Sequence, residues 1–119
     1  MAERILFVDD DPHWRMMVST CLRDAGYQVL AVKDASEALL QSGEDRLALI
    51  ILDLDLGGEN GLMLMKFLKR SHPWVPILLY TGMQHDEEAV QRMREQGAQQ
   101  YVRKGNLDDL IKAVKGILG

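Results

Sequence analysis

Short apolar runs alternate along this chain with longer stretches whose apolar residues recur at helical spacing. Ile5 to Val8 is the first such run and predicts a buried strand. Asp11-Pro12 then opens a helix, with an acid at the N-cap and a proline at the first helical position. That helix should run through Met16, Met17, Cys21 and Leu22 and stop at Gly26. Gln28 to Val32 predicts a second strand. Asp34, followed at helical spacing by Glu37, makes a capping box for a helix that contains Ala38 and Leu39 and ends near Gly43.

Ala48 to Leu52 is a third strand, so apolar that both of its faces should be covered, as in a parallel sheet. The region of Gly57, Gly58 and Gly61 predicts a loop, and Leu62 to Arg70 a helix ended by Ser71-His72-Pro73. Ile77 to Tyr80 is a fourth strand, and Asp86 to Gln96 a polar helix closed by Gly97. Gln100 to Arg103 is a fifth strand. Asn106, with Asp109 behind it, caps a last helix through Leu110, Ile111 and Val114 to Leu118. Strict alternation of strand and helix predicts an α/β fold: a doubly wound, five-stranded parallel sheet with helices on both faces.

Composition narrows the picture. The 119 residues suit one compact domain, residues 1–119, and the last helix leaves no room in them for an output domain. The formal net charge of −4 argues against direct binding to nucleic acid or to an anionic membrane surface, both of which want a basic face. One cysteine, Cys21, excludes an internal disulfide and fits a cytoplasmic setting. No apolar stretch is long enough for a membrane span, and the short run before the acids at 9–11 is no signal peptide.

The polar residues at strand ends carry the chemistry. Asp9 and Asp10 follow the first strand, Asp53 the third, Thr81 the fourth and Lys104 the fifth. In an open parallel sheet the carboxyl ends share one edge, and ligands bind in the crevice there. Three carboxylates brought that close repel one another unless a cation sits among them. Oxygen ligands with room for water suit Mg²⁺, for which Mn²⁺ can substitute. A carboxylate beside such an ion can attack phosphorus, and a Lys and a Thr hydroxyl can hold the transferred oxygens.

With these residues in hand, the chain resembles the response-regulator receiver family over essentially its whole length. Ile5-Leu6-Phe7-Val8-Asp9-Asp10-Asp11-Pro12 resembles the family's opening strand and acidic pair. The stretch from Asp53 to Asn60-Gly61 has the family's spacing from acceptor to (Asp/Asn)-Gly. Pro76-Ile77-Leu78-Leu79-Tyr80-Thr81-Gly82 resembles the switch-threonine strand, and Gly97-Ala98 with Tyr101-Val102-Arg103-Lys104 the last strand. The resemblance implies a flavodoxin-like (βα)5 sheet of strand order 2-1-3-4-5 and a signalling switch rather than a turnover enzyme. It implies Asp53 as phosphoacceptor. Asp10 and Asp53 would bind Mg²⁺ directly, Asp9 through water, and the Asp55 backbone carbonyl would complete the site. Lys104 would pair with the phosphoryl group and Thr81 would donate its hydroxyl to it. Tyr101 would move inward as Thr81 shifts, altering the face of the fourth helix, fifth strand and fifth helix. The implied donor is a histidine kinase or phosphotransfer protein. The implied recipient is a downstream protein or an output domain, and the implied state is a monomer or a weak phosphorylation-dependent dimer.

Departures from the pattern matter too. Gly57, followed by Gly58, stands where many members carry Pro, and Gly105 stands where many carry Pro after the lysine. Lys104–Gly105 should therefore be a trans bond in a differently shaped loop. Asp55 and Met83 occupy positions that, by the resemblance, flank the path of attacking water and would tune the phosphoryl lifetime. Leu52-Asp53-Leu54-Asp55 superficially resembles the nucleophile motif of haloacid-dehalogenase-like phosphatases, but that family places the motif near its start. A pseudo-receiver that binds partners without phosphorylation is the other rival. Elsewhere the readings are bland. Met16, Met17, Met63 and Met65 read as core fillers, Met83 and Met93 as exposed, and Cys21 as buried. Trp74 reads as a loop anchor, and Trp14 as packing rather than a site reporter.

Overall fold

The computed structural model describes residues 2–42, 46–56, 59–82 and 85–119. The elements in chain order are β1 (Arg4–Val8), α1 (Pro12–Asp24), β2 (Gln28–Val32), α2 (Ala35–Ser42), β3 (Leu49–Leu52), β4 (Asp55–Leu56), β5 (Glu59–Asn60), α3 (Gly61–Ser71), β6 (Ile77–Thr81), α4 (Glu87–Glu95), β7 (Ala98–Arg103) and α5 (Leu107–Leu118). The main sheet is five-stranded and parallel, in the order β2-β1-β3-β6-β7. Counted within the sheet alone, that is the expected 2-1-3-4-5. The expected glycine-rich loop instead contains a two-stranded antiparallel ribbon, β4–β5. Gly57 and Gly58 lie outside the described residues.

The period of two along each strand sorts side chains to two cores. Leu6, Val8, Ile50, Leu52, Ile77 and Leu79 face α2, α3 and α4. Ile5, Phe7, Leu49, Ile51, Leu78 and Tyr80 face α1 and α5. Every residue of β3 and β6 is buried, which is why both strands read as unbroken apolar runs.

Local signals behave as their physics requires. Asp11 caps α1 by accepting from the His13 N–H at 2.8 Å, and Pro12 follows where a lost N–H costs nothing. Asp34 accepts from the Glu37 N–H at 2.9 Å, and Glu37 reaches back to the Lys33 N–H at 3.1 Å, one residue earlier than a standard capping box. Asn106 caps α5 through the Asp108 N–H at 2.9 Å. Gly26 and Gly97 take the positive φ angles of 100° and 123° that end α1 and α4 sharply.

Several sequence expectations need correction. The buried stripe of α1 is Val18 and Leu22, with Trp14 partly buried against the same core. Met16 is 64% exposed, and Met17 and Met63 are exposed as well, so only Met65 of those four fills core. Met93 is buried under α4, not exposed. Trp74 is 93% exposed and anchors nothing, and Cys21 is half-buried. Among the described residues no helix is long and apolar enough to cross a membrane.

Candidate functional site

Backbone hydrogen bonds place the polar residues where the strands run out. The Asp9 N–H donates to the Val32 carbonyl at 3.0 Å, and the Asp53 N–H to the Val8 carbonyl at 3.0 Å. The ladder thus continues one residue beyond each strand and sets Asp9 and Asp53 side by side. Thr81 is the last residue of β6, where the sequence placed it just after the strand, and its carbonyl accepts from the Lys104 N–H at 2.9 Å. The crevice lies where the order reverses, between β1 and β3, as expected for a doubly wound sheet.

Asp9, Asp10 and Asp53 each offer a carboxylate oxygen within 4.8 Å of the others. Asp9 and Asp53 are buried and Asp10 is exposed at the rim. Two buried carboxylates need a counter-charge. Lys104 supplies it, with Nζ 2.6 Å from Asp9 Oδ2 and 2.8 Å from Asp53 Oδ2, on a side chain only 10% exposed. Backbone donors hold the other oxygens: Asp11 N–H on Asp9 Oδ1 at 2.9 Å, and Asp55 N–H on Asp53 Oδ1 at 3.1 Å.

The electrostatics follow from this burial. Desolvation raises the Asp9 carboxyl above its ordinary value, against the pull of Lys104 and the Asp11 N–H. Burial would lower the Lys104 ammonium, but its hydrogen bonds to Asp53 and Asp9 outweigh that and hold it above the usual lysine value.

The surrounding cleft measures 270 Å³ and is lined by Asp10, Asp11, Trp14, Asp53, Asp55, Thr81, Gly82 and Lys104. Thr81 is fully buried, and its Oγ1 has no hydrogen-bond partner among the described residues. Gly82 leaves the wall open beside Lys104, since a Cβ there would come 4.0 Å from the Lys104 stem. A clustered, deprotonatable oxygen donor set beside a solvent-open rim fits a hard divalent cation that keeps some of its water.

Of the residues named from sequence, the structure brings together Asp9, Asp10, Asp53, Asp55, Thr81 and Lys104. Met83 lies outside the described residues. Tyr101 does not line the cleft. It sits half-buried on β7, opposite Leu79, with its ring edge-on to His85 at 5.7 Å and 89°. Lys104–Gly105 is a trans bond, as expected, and Gly105 has φ 136°, a conformation that proline cannot take.

One neighbour escaped the sequence reading, and another was read as plain packing. Arg15 Nη1 donates to the Asp9 carbonyl at 2.8 Å, bracing the turn that carries the acids. Trp14 is not merely packing, because Lys104 Nζ stands 5.1 Å from its ring centroid. The only signal was its place one turn into the helix after the acidic run.

Comparison with known proteins gives the family. Residues 5–115 match the response regulator receiver domain family. The chain is 38% identical over 114 residues to the nitrogen assimilation regulatory protein NtrX of Azorhizobium caulinodans, covering 93% of this chain and 25% of that protein. It is 32% identical over 121 residues to the phosphate regulon transcriptional regulatory protein PhoB of Escherichia coli, covering 99% of this chain and 52% of that one. It therefore spans about half or less of the length of these relatives. Among solved structures, the chemotaxis response regulator CheY4 of Vibrio cholerae superposes with TM-score 0.90 at 30% identity, covering 99% of this chain and 100% of that one. The response regulator TrrA of Thermotoga maritima, solved with Mg²⁺ and beryllium fluoride, gives TM-score 0.86 at 30% identity over 98% of this chain and 99% of that one.

Proposed function

The chain belongs to the response regulator receiver domain family of two-component signalling, and on that premise we propose that Asp53 is the residue that takes the phosphoryl group. The observation that carries this reading is the convergence of Asp9, Asp10 and Asp53 on one another, with Lys104 bridging two of them. Mg²⁺ would be held by Asp10, Asp53 and the Asp55 carbonyl, with Asp9 behind a water. When bound, it supplies positive charge that offsets the acids and the incoming phosphoryl oxygens.

The residues divide the remaining work. Asp53 Oδ1 is held by the Asp55 N–H, which aims the carboxylate out of the sheet edge. One carboxylate oxygen attacks phosphorus, the bond to the donor's leaving group breaks, and an acyl phosphate forms. Lys104 already contacts Asp53 Oδ2 and is placed to accompany a phosphoryl oxygen attached there. The buried Thr81 hydroxyl, without a partner among the described residues, would gain one by donating to a second phosphoryl oxygen. That gain, available only after phosphorylation, would bias Thr81 and then Tyr101 toward a second arrangement of the α4–β7–α5 face. Asp55, exposed at the rim, together with Met83, would tune hydrolysis of the acyl phosphate.

The donor would be a histidine kinase or a phosphotransfer protein. The recipient would be a downstream protein or an output domain, in the cytoplasm, with the domain a monomer or a weak phosphorylation-dependent dimer. The test is intact mass after incubation with Mg²⁺ and acetyl phosphate, beside Asp53→Asn. One Mg²⁺-dependent phosphoryl adduct on the parent, missing from the variant, is the expected result. No adduct and no beryllofluoride binding by folded protein would overturn the assignment in favour of a pseudo-receiver.

A further inference from the structure

Lys104 has two kinds of partner in the cleft. One is the carboxylate pair of Asp9 and Asp53. The other is the face of Trp14, with the ammonium 5.1 Å from the ring centroid. Trp14 is itself braced, because its ring meets that of Tyr80 nearly edge-on, at 5.7 Å and 85°. Tyr80 is fully buried in the β6 strand. A rigid sheet residue therefore orients the indole, and the indole faces the lysine.

The Lys104 N–H is pinned to the Thr81 carbonyl at 2.9 Å, but that fixes the backbone and not the direction of the long side chain. Gly105 sits at φ 136°, where a Cβ added to it would meet nothing within 4 Å. Glycine leaves the following peptide free to rotate. A lysine stem also carries much rotamer freedom, and its ammonium is a point charge without the fixed fork of a guanidinium. Something other than the local chain must aim it. The two carboxylates do so while they are free, but both belong to the cluster whose charge a divalent cation would share. The indole face is the partner that does not change when the acids are engaged.

We propose that Trp14 is a positioning residue for Lys104, its π face holding the ammonium at the mouth of the cleft in register with Asp53. Trp14 then sets how well Lys104 meets a transferred phosphoryl oxygen, and Tyr80 fixes the plane of the ring that does so. This rests on the reading of Asp53 as phosphoacceptor. A tryptophan that only covered the core would be replaced as well by any apolar side chain of similar size. A cation–π partner is graded differently, because phenylalanine keeps a π face and leucine does not.

The experiment uses the full chain with Trp14→Phe and Trp14→Leu, each checked for folding by urea denaturation. Initial rates of Asp53 phosphorylation by acetyl phosphate are measured at saturating Mg²⁺, with and without Lys104→Met. Trp14→Leu is expected to slow phosphorylation about fivefold, and Trp14→Phe by roughly twofold or less, the size of a partly desolvated cation–π contact. In the Lys104→Met background, Trp14→Leu should have no further effect. Equal rates for the parent and Trp14→Leu, equal losses for Leu and Phe, or a loss that persists without Lys104 would each overturn the proposal.

A second arm does not depend on phosphorylation. Trp74 is almost wholly exposed, so Trp74→Phe leaves Trp14 as the sole indole emitter. Lys104→Met should then change the Trp14 emission without Mg²⁺ or phosphodonor. An unchanged spectrum sinks the contact itself. A changed spectrum in a parent that takes no phosphoryl group would instead sink the phosphoacceptor reading and leave the contact standing.

Discussion

Lys104→Met isolates the charge balance of the cleft. Its ammonium lies 2.6 Å from one buried carboxylate and 2.8 Å from another, and the methionine stem keeps most of the volume while removing the charge. Removing one partner of a buried ion pair costs about 3–5 kcal/mol, mostly because the other charge is left unpaired. Two carboxylates are left here, but the open rim beside Asp10 admits water, so the low end applies, about 3 kcal/mol. For a domain of this size that is a fall in Tm of roughly 12 °C.

The assay is urea denaturation in EDTA, followed by Mg²⁺ titration. Whatever binds only the folded state stabilises it by RT ln(1 + [L]/Kd). With its internal competitor gone, the variant should gain more from Mg²⁺ than the parent does. The pH dependence has a definite sign. The folded Lys104 value is raised above the ordinary 10.5, so its contribution is complete below that and is lost as pH rises through the higher folded value. The parent should therefore converge on the variant only in strong alkali. A parent and variant within about 0.5 kcal/mol of each other in EDTA, the range of an ordinary surface change, would refute the view that Lys104 is the counter-ion of the buried pair.

Asp9→Asn should stabilise the protein at neutral pH, because burial raises the folded Asp9 value above 3.8 and its ionisation therefore works against folding. The same sign means that the parent recovers this loss as pH falls through that raised value, so denaturation midpoints from neutral to acid should show a gradient that Asp9→Asn flattens. Gly61→Ala should destabilise by about 1–3 kcal/mol, since its Cβ would fall 2.6 Å from the Leu54 Cα and carbonyl oxygen, where backbone must shift; a thermal melt superposable on the parent's would contradict it. Gly105→Pro should cost more than about 1 kcal/mol, because proline fixes φ near −65° where the chain now has 136°. Urea midpoints test this, and a gain in stability would mean that the loop readily adopts another shape.

The alternation of apolar runs and amphipathic stretches was sufficient for the fold. Runs such as Leu49–Leu52 can be buried on both faces only inside a covered parallel sheet, and the polar residues that end the runs must then share an edge. Asp9, Asp53 and Thr81 were legible for that reason, each at an abrupt end to an apolar run, whereas Lys104 follows a polar strand and was placed by the order of the units. Caps such as Asp11-Pro12 and Asn106 were legible because their hydrogen bonds are local. The methionines of α1 were not, because Met16 and Met17 stand beside Val18 and Leu22, and helical spacing alone leaves the choice of face open.

What the sequence by itself determined was thus the period of each element, the order of the units and the residue type at each strand end, all of which depend on near neighbours. The tertiary structure alone decided the contacts between those ends. Lys104 bridging Asp9 and Asp53 and the indole of Trp14 under the lysine each join residues far apart in the chain. Such distances depend on the register of neighbouring strands and on the rotamers that packing permits, and no local pattern of residues encodes either.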